Sequence, residues 1–162
     1  MRHKLAIVFV IASIACITNI AYATDETQVV TFSLSHATSR EAATVLRTIV
    51  GVKKLEAAND HTITVRDTQE NLELARAVVK MLDTTDDTAD TTSLPAGDGS
   101  VIAAVVLDRA SSEEVMDALR RELRIARIAT AGEKRIFLRD TDSQIQAALK
   151  VIGRVEGNHE DS

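Results

Sequence analysis

The chain has a single cysteine, Cys16, no tryptophan, and only 2% aromatic residues. Cys16 lies in the N-terminal segment 1–23, so the rest of the chain has no disulfide, no thiol nucleophile and no thiolate metal ligand. The shortage of aromatic residues argues against stacking platforms for bases and aromatic clamps for sugars. The fold of residues 24–162 must therefore depend on the burial of apolar side chains.

Residues 1–23 have the three-part layout of a secretory signal peptide. A basic start precedes an apolar run at 5–17, and the Ala-Tyr-Ala triplet at 21–23 offers small residues to a signal peptidase. We predict cleavage after this triplet and export to the periplasm, with association with the outer membrane as an option. Two alternatives stay open. One is an uncleaved membrane anchor, for which the run is short; the other is lipidation of Cys16, although Ser13 stands where a lipoprotein signal carries leucine.

Acidic residues outnumber basic ones in the remaining chain. Without Arg2 and Lys4, 17 basic residues face 24 acidic ones, a formal charge of −7. Such a surface does not neutralise phosphates, so we predict no general nucleic-acid binding. The histidines after the signal segment, His36, His61 and His159, are far apart in sequence. No known catalytic, nucleotide or metal motif is present, and we expect no enzyme, no cofactor and no metal site.

A shift of 73 residues lays the chain on itself without a gap. Identical residues recur at this offset at Leu34 and Leu107, Ala37 and Ala110, Glu41 and Glu114, Leu46 and Leu119, and Ile63 and Ile136. The triplet Arg-Asp-Thr also recurs, at 66–68 and 139–141. We therefore predict two copies of one small domain, at 29–83 and 101–156. A strand end followed by a helix cap explains the triplet, with a surface recognition point as the alternative.

Each copy is predicted to fold as β-α-β-β-α, a small three-stranded sheet with two helices on one face, which makes the fold class α+β. The opening strands, at 29–34 and 101–107, are rich in β-branched residues. The following helices begin with the capping-box pattern S/T-x-x-E at 38–41 and 111–114.

The second part of each copy is predicted to be a β-hairpin followed by a helix. Asn-Asp at 59–60 and Gly-Glu at 132–133 are turn formers between apolar strands. Asp67 and Asp140 are the predicted N-caps of the second helices.

The segment 84–100 is predicted to be a linker, because it holds the only proline and shows no apolar periodicity. Its aspartates at 86, 87, 90 and 98 suggest a calcium loop as the alternative, but the ligand spacing of an EF-hand is missing. The polar tail 157–162 is predicted to be frayed.

A basic row is the candidate partner-binding surface. It consists of Arg120, Arg121, Arg124 and Arg127. A spacing of three and four residues places most of them near one face of a helix end. The row could attract an acidic protein surface or anionic lipid headgroups, or it could simply complement the helix dipole.

Four stretches of the sequence resemble the short periplasmic domain of secretins, the ring-forming outer-membrane proteins of type II and type III secretion and of type IV pili. They read FSLSHATSREAATVLRTI, HTITVRDTQENLELARAVVKMLD, VVLDRASSEEVMDALRREL and KRIFLRDTDSQIQAALKVIGRVE. The resemblance implies a β-α-β-β-α fold, also likened to the KH fold, and stacking of copies through helix-to-sheet contacts. Residues 157–162 are too few for the secretin barrel, so we do not expect this chain to be the pore.

We predict a non-enzymatic periplasmic interaction or assembly protein of a secretion or pilus machine. Its expected partners are envelope proteins such as a secretin or its inner-membrane platform, with self-association as an option and no stable membrane insertion after signal cleavage. The alternatives are a KH-like nucleic-acid-binding protein of DNA uptake, which would need a GxxG loop that neither copy has, and a small-ligand-binding module.

Overall fold

The computed structural model describes residues 27–84 and 91–158. The predicted signal segment, residues 85–90 with three of the linker aspartates, and His159 lie outside the described residues. Within them the protein is mixed α+β, with four α-helices and two sheets, in roughly a two-domain layout. No helix in the described ranges is both long enough and apolar enough to cross a membrane.

The first half runs strand, helix, strand, strand, helix. Its elements are β1 (Gln28–Ser33), α1 (Ser39–Val45) with a π-helical turn (Leu46–Val50), β2 (Lys54–Asn59), β3 (Thr62–Asp67) and α2 (Gln69–Leu82). The three strands form an antiparallel sheet in the order β1-β3-β2. The second and third strands are joined by a tight turn, as predicted.

The predicted capping box opens α1: the Thr38 hydroxyl accepts from the Glu41 backbone N–H, and the Glu41 carboxylate accepts from the Thr38 N–H. The helix stops at Gly51, which has the left-handed φ of 90°. The predicted cap of α2 is wrong by one residue. Thr68 is the N-cap, because the Asp67 carboxylate is already bonded to the backbone N–H groups of Lys53 and Thr68.

The second half has one strand more than predicted. Its elements are β4 (Thr91–Pro95), β5 (Val101–Val106), α3 (Ser112–Glu122), β6 (Arg127–Ala131), β7 (Arg135–Asp140) and α4 (Asp142–Asn158). They form an antiparallel sheet in the order β4-β5-β7-β6. The additional strand β4 comes from the predicted linker. Its backbone is held by β5 across a turn in which the Ala96 N–H donates to the Ser100 carbonyl at 2.8 Å.

The buried side chains form two clusters that stack the elements in layers. One cluster fills the space around α1 and α2, between the first sheet and the face of the second sheet that turns away from α3 and α4. This face is called the outer face of the second sheet. The other cluster lies between the opposite face of the second sheet and helices α3 and α4. The order is therefore sheet, helices, sheet, helices, and the second sheet is buried on both faces.

Several hydrogen bonds recur 73 residues further along the chain. The Asp83 carboxylate accepts from the backbone N–H groups of residues 35–37, and Glu156 accepts from those of Arg109 and Ala110. Burial opposes ionisation of Asp83, but these N–H donors outweigh it and hold its pKa below the usual value. The Asp140 carboxylate accepts from the Ala126 N–H as Asp67 does from Lys53.

Candidate functional site

The two halves of the described chain are joined by a packed surface. The end of α1 and the π-helical turn lie over β6 and β7 of the second sheet. The contact is apolar at its centre, where Ile49 and Val50 share a buried cluster with Ala129 and Phe137. Phe137 is 0% exposed and is the largest fully buried side chain in the described residues. One sheet face thus receives the helix layer of the other half.

Arg139 binds the C-terminal end of the first helix. Its Nη1 donates to the carbonyls of Ile49 at 2.9 Å and Val50 at 3.3 Å, and its Nε donates to the Ser100 hydroxyl at 2.8 Å. Its Nη2 forms an ion pair with Asp98 at 2.7 Å. The residue is only 8% exposed. A cation in this place satisfies helix carbonyls without an intrahelical partner and complements the negative end of the dipole.

The Asp98 carboxylate holds this arginine from the loop after β4. Hydrogen bonds from the Ser100 hydroxyl and backbone N–H, followed by the Arg139 guanidinium, lower the pKa of Asp98 to about 2 against the opposing effect of burial. Asp98 is therefore ionised at neutral pH and committed to this contact. This is a different role from the calcium ligand considered from the sequence.

Two more arginines cap helix ends from the same face of the second sheet. Arg127 Nη1 donates to the Ile49 carbonyl at 3.2 Å, beside Arg139. Arg135 donates to the carbonyl of Leu82 and, at 3.0 Å, to that of Thr84, at the end of α2. Both helices of the first half therefore end against arginines of the second half.

The predicted basic row is divided by the fold. Helix α3 ends at Glu122, and Leu123 is already extended, with φ −130° and ψ 152°. The chain straightens there because Leu123 and Ile125 pack against the second apolar cluster. The prediction of one helical row is therefore wrong beyond Arg121. All four arginines are exposed, and Arg127 in addition donates to the Ile49 carbonyl, so it belongs to the contact between the halves.

The described histidines are not gathered into a site. His61 Nδ1 lies 3.2 Å from the Ala37 carbonyl, and Lys134, 73 residues further, donates to the Ala110 carbonyl at 3.2 Å. His36 lies in the loop before α1. No group of histidine, cysteine, aspartate and glutamate able to hold a metal occurs within residues 27–84 and 91–158.

An open groove of about 330 Å³ lies beside the contact and is lined by charged residues of both halves. Three of these groups are already bound to the protein: Glu41 to the cap of α1, Lys134 to carbonyls of 108–110, and Arg135 to the end of α2. Their arrangement stabilises the loops and helix ends that surround the groove.

Comparison with protein-family models, with curated proteins and with solved structures finds no match to this chain. The functional argument consequently depends on the residues and contacts described above.

The sequence did not single out Arg135, and it singled out Arg139 only within the Arg-Asp-Thr triplet, where a surface recognition point was the alternative to a strand end and helix cap. A signal was present in the strand RIFLRD, where Arg135, Phe137 and Arg139 alternate with Ile136 and Leu138. One face of this strand is apolar and the other carries Phe137 between the two arginines, so each face has a large apolar residue, as is typical of a strand covered on both sides.

Proposed function

We propose that the chain arose by duplication of one β-α-β-β-α module and carries two copies of it. Support comes from the offset of 73 residues, which relates the capping boxes and hairpin turns. It also relates the hydrogen bonds of Asp83 and Glu156 to the loops before α1 and α3. The fourth strand, β4, is an addition to the second copy.

We propose further that the protein is a non-enzymatic interaction or assembly component of the bacterial envelope. It would be exported by segment 1–23 and associated with a secretion or pilus machine, as its resemblance to the short domains of secretins implies. One observation carries the proposal: the helix layer of one half packs on the sheet face of the other, and arginines bind the helix ends. A module that binds its neighbour in this way has the surfaces needed to bind related modules.

Crosslinking in living cells tests this function. A photoreactive residue is placed at Thr64, on the outer face of the first sheet, or at Arg121, at the exposed end of α3; Glu73, exposed on α2, is the control position. We expect position 64 or 121 to capture a secretin, its inner-membrane platform or another envelope protein, with little capture from position 73. Capture from neither test position would contradict the proposal.

A second candidate, binding of a small ligand, is favoured by the charged groove beside the contact. A ligand seated there would stabilise the folded protein by mass action. A thermal-shift screen of small anions, amino acids and sugars tests it. A reproducible shift that is lost in Glu133→Gln would support this candidate, and an unchanged unfolding temperature throughout would reject it.

A further inference from the structure

The outer face of the first sheet is the open counterpart of the face that joins the two halves. Its residues are Val29, Thr31, Lys54, Glu56, Thr64 and Arg66. A shallow groove of about 360 Å³ runs across it. Val29, 51% exposed, is the one large apolar side chain in the described residues that is exposed. This face therefore combines an accessible apolar contact with charged groups.

Two cations on this face, Lys54 and Arg66, are the equivalents in the first half of the two arginines of the second half that bind the end of α1. Lys54 lies opposite Arg66 on neighbouring strands, as Arg127 lies opposite Arg139. Both pairs are related by the same offset of 73 residues. In the described part of the chain the side chains of Lys54 and Arg66 are exposed and engage no acceptor.

We propose that the outer face of the first sheet binds the C-terminal end of an α-helix of a partner protein, with Arg66 and Lys54 donating to its last carbonyls. The inference depends on the proposed interaction function and names the face and the partner chemistry. Lys53, Lys54 and Arg66 against Glu56 leave the groove positive, which complements the negative end of a helix. The expected geometry is that of the contact between the halves, in which Arg127 and Arg139 donate to the carbonyl of Ile49.

The partner helix is expected to end without a basic side chain, because that side chain would meet Arg66 and Lys54. In the existing contact the helix ends at Gly51, which carries no side chain and has a left-handed φ of 90°. The residue at the equivalent position of the second half is Arg124, which lies beyond the end of α3 and whose charge would meet Lys54 in a stack of two copies. Repulsion between Arg124 and Lys54 thus opposes a second copy as the occupant.

A second difference leads to the same conclusion. The first half presents Ile49 and Met81 in the apolar contact with the second sheet. At the equivalent positions the second half carries Glu122 and Arg154, which form an exposed ion pair. The helix layer of the second half is therefore polar where the first is apolar, and it ends the stack.

A variant of the protein itself supplies the probe. Glu122→Ile, Arg124→Gly and Arg154→Met together replace three side chains at and after the end of α3 and on α4 with those at the equivalent positions of the first half. We expect the wild type to sediment as a monomer and the triple variant to associate head to tail. Reversing the charges, with Arg66→Glu and Lys54→Glu added, is expected to weaken that association by about tenfold or more.

A folded triple variant that remains monomeric would overturn the proposal, as would association that the charge reversal leaves unchanged. Association of the wild type would also overturn it, because a second copy would then be the occupant. If the triple variant does not fold, Arg124→Gly alone is the probe. Its association is then measured with and without Arg66→Glu and Lys54→Glu. Binding of the wild type to phosphatidylglycerol vesicles that is lost in Arg66→Glu would assign the cations to an anionic membrane surface and reject the helix.

The two proposals fail separately. Association of the triple variant together with no partner captured in cells would contradict the envelope function alone. Capture of an envelope protein from position 64 that Arg66→Glu leaves unchanged would contradict the helix-end assignment alone.

Discussion

The outer faces of the two sheets share one strand register but have different surroundings. At the centre of the second sheet, Phe137 is fully buried under the helices of the first half. At the equivalent place on the first sheet, Thr64 bonds across the strands to Thr31 and stays partly exposed. The comparison teaches that one backbone arrangement serves as an internal contact or as an accessible surface, and that the side chains along its central strand decide which.

The largest difference in stability is expected when the two central residues, Phe137 and Thr64, are each truncated. We predict that Phe137→Ala lowers the free energy of unfolding by about 3–5 kcal/mol, because it leaves a cavity between the halves. Thr64→Ala should cost under about 1 kcal/mol, since its side chain is partly solvated. Urea unfolding followed by circular dichroism measures both. Equal losses would show that the two faces do not differ as described.

The next largest difference in stability is expected between Arg139 and its equivalent in the first half, Arg66. Arg139→Ala removes the donor to two buried carbonyls and is expected to cost about 2 kcal/mol. Arg66→Ala, at the equivalent exposed position, should change stability by less than about 0.5 kcal/mol. The same urea titration compares them, and a loss in Arg66→Ala as large as that in Arg139→Ala would refute the difference.

The helix caps are features that the halves share. Both Thr38→Ala and Ser111→Ala remove the acceptor of a capping box and should each cost about 1 kcal/mol. The two losses are expected to be similar because both caps are exposed in the same geometry. If only one cap contributed, the local equivalence of the halves would be wrong.

The smallest effect is a dependence on pH through Asp98. Its pKa is lower in the folded protein than in the unfolded chain, so its contribution is complete above the unfolded value near 4 and is lost as pH falls toward about 2. The side chain is 57% exposed, so screening by solvent limits the contribution to under about 1 kcal/mol. We predict that Asp98→Asn reduces the stability difference between pH 6 and pH 3. An unchanged difference would count against the Asp98–Arg139 pair.

The sequence predicted the features that depend on neighbouring residues. The capping box joins Thr38 to Glu41 within one helical turn, and the hairpin turns lie between adjacent strands. Strand β4 was missed because its threonines show no apolar pattern and its backbone is paired only once β5 lies beside it. The contact between the halves was missed for the same reason, since Arg139 reaches carbonyls about 90 residues away in sequence.

The helical placement of the basic row was wrong because helical spacing was applied to Arg124 and Arg127, which lie beyond the end of α3. Arg127 follows the alternation of a strand, and alternation directs it toward the first half. An earlier helix end would have been indicated by the alternating Leu123 and Ile125, which pack on the second apolar cluster.

The contact between the halves is tested most directly by hydrogen exchange resolved by residue, in the wild type and in Phe137→Ala. The amides of Gly51 and Val52 bond to Leu46 at the end of the first helix, under the second sheet. We predict that Phe137→Ala lowers protection of these two amides together with those of β7. Protection retained at Gly51 and Val52, with losses confined to residues 101–158, would contradict the account.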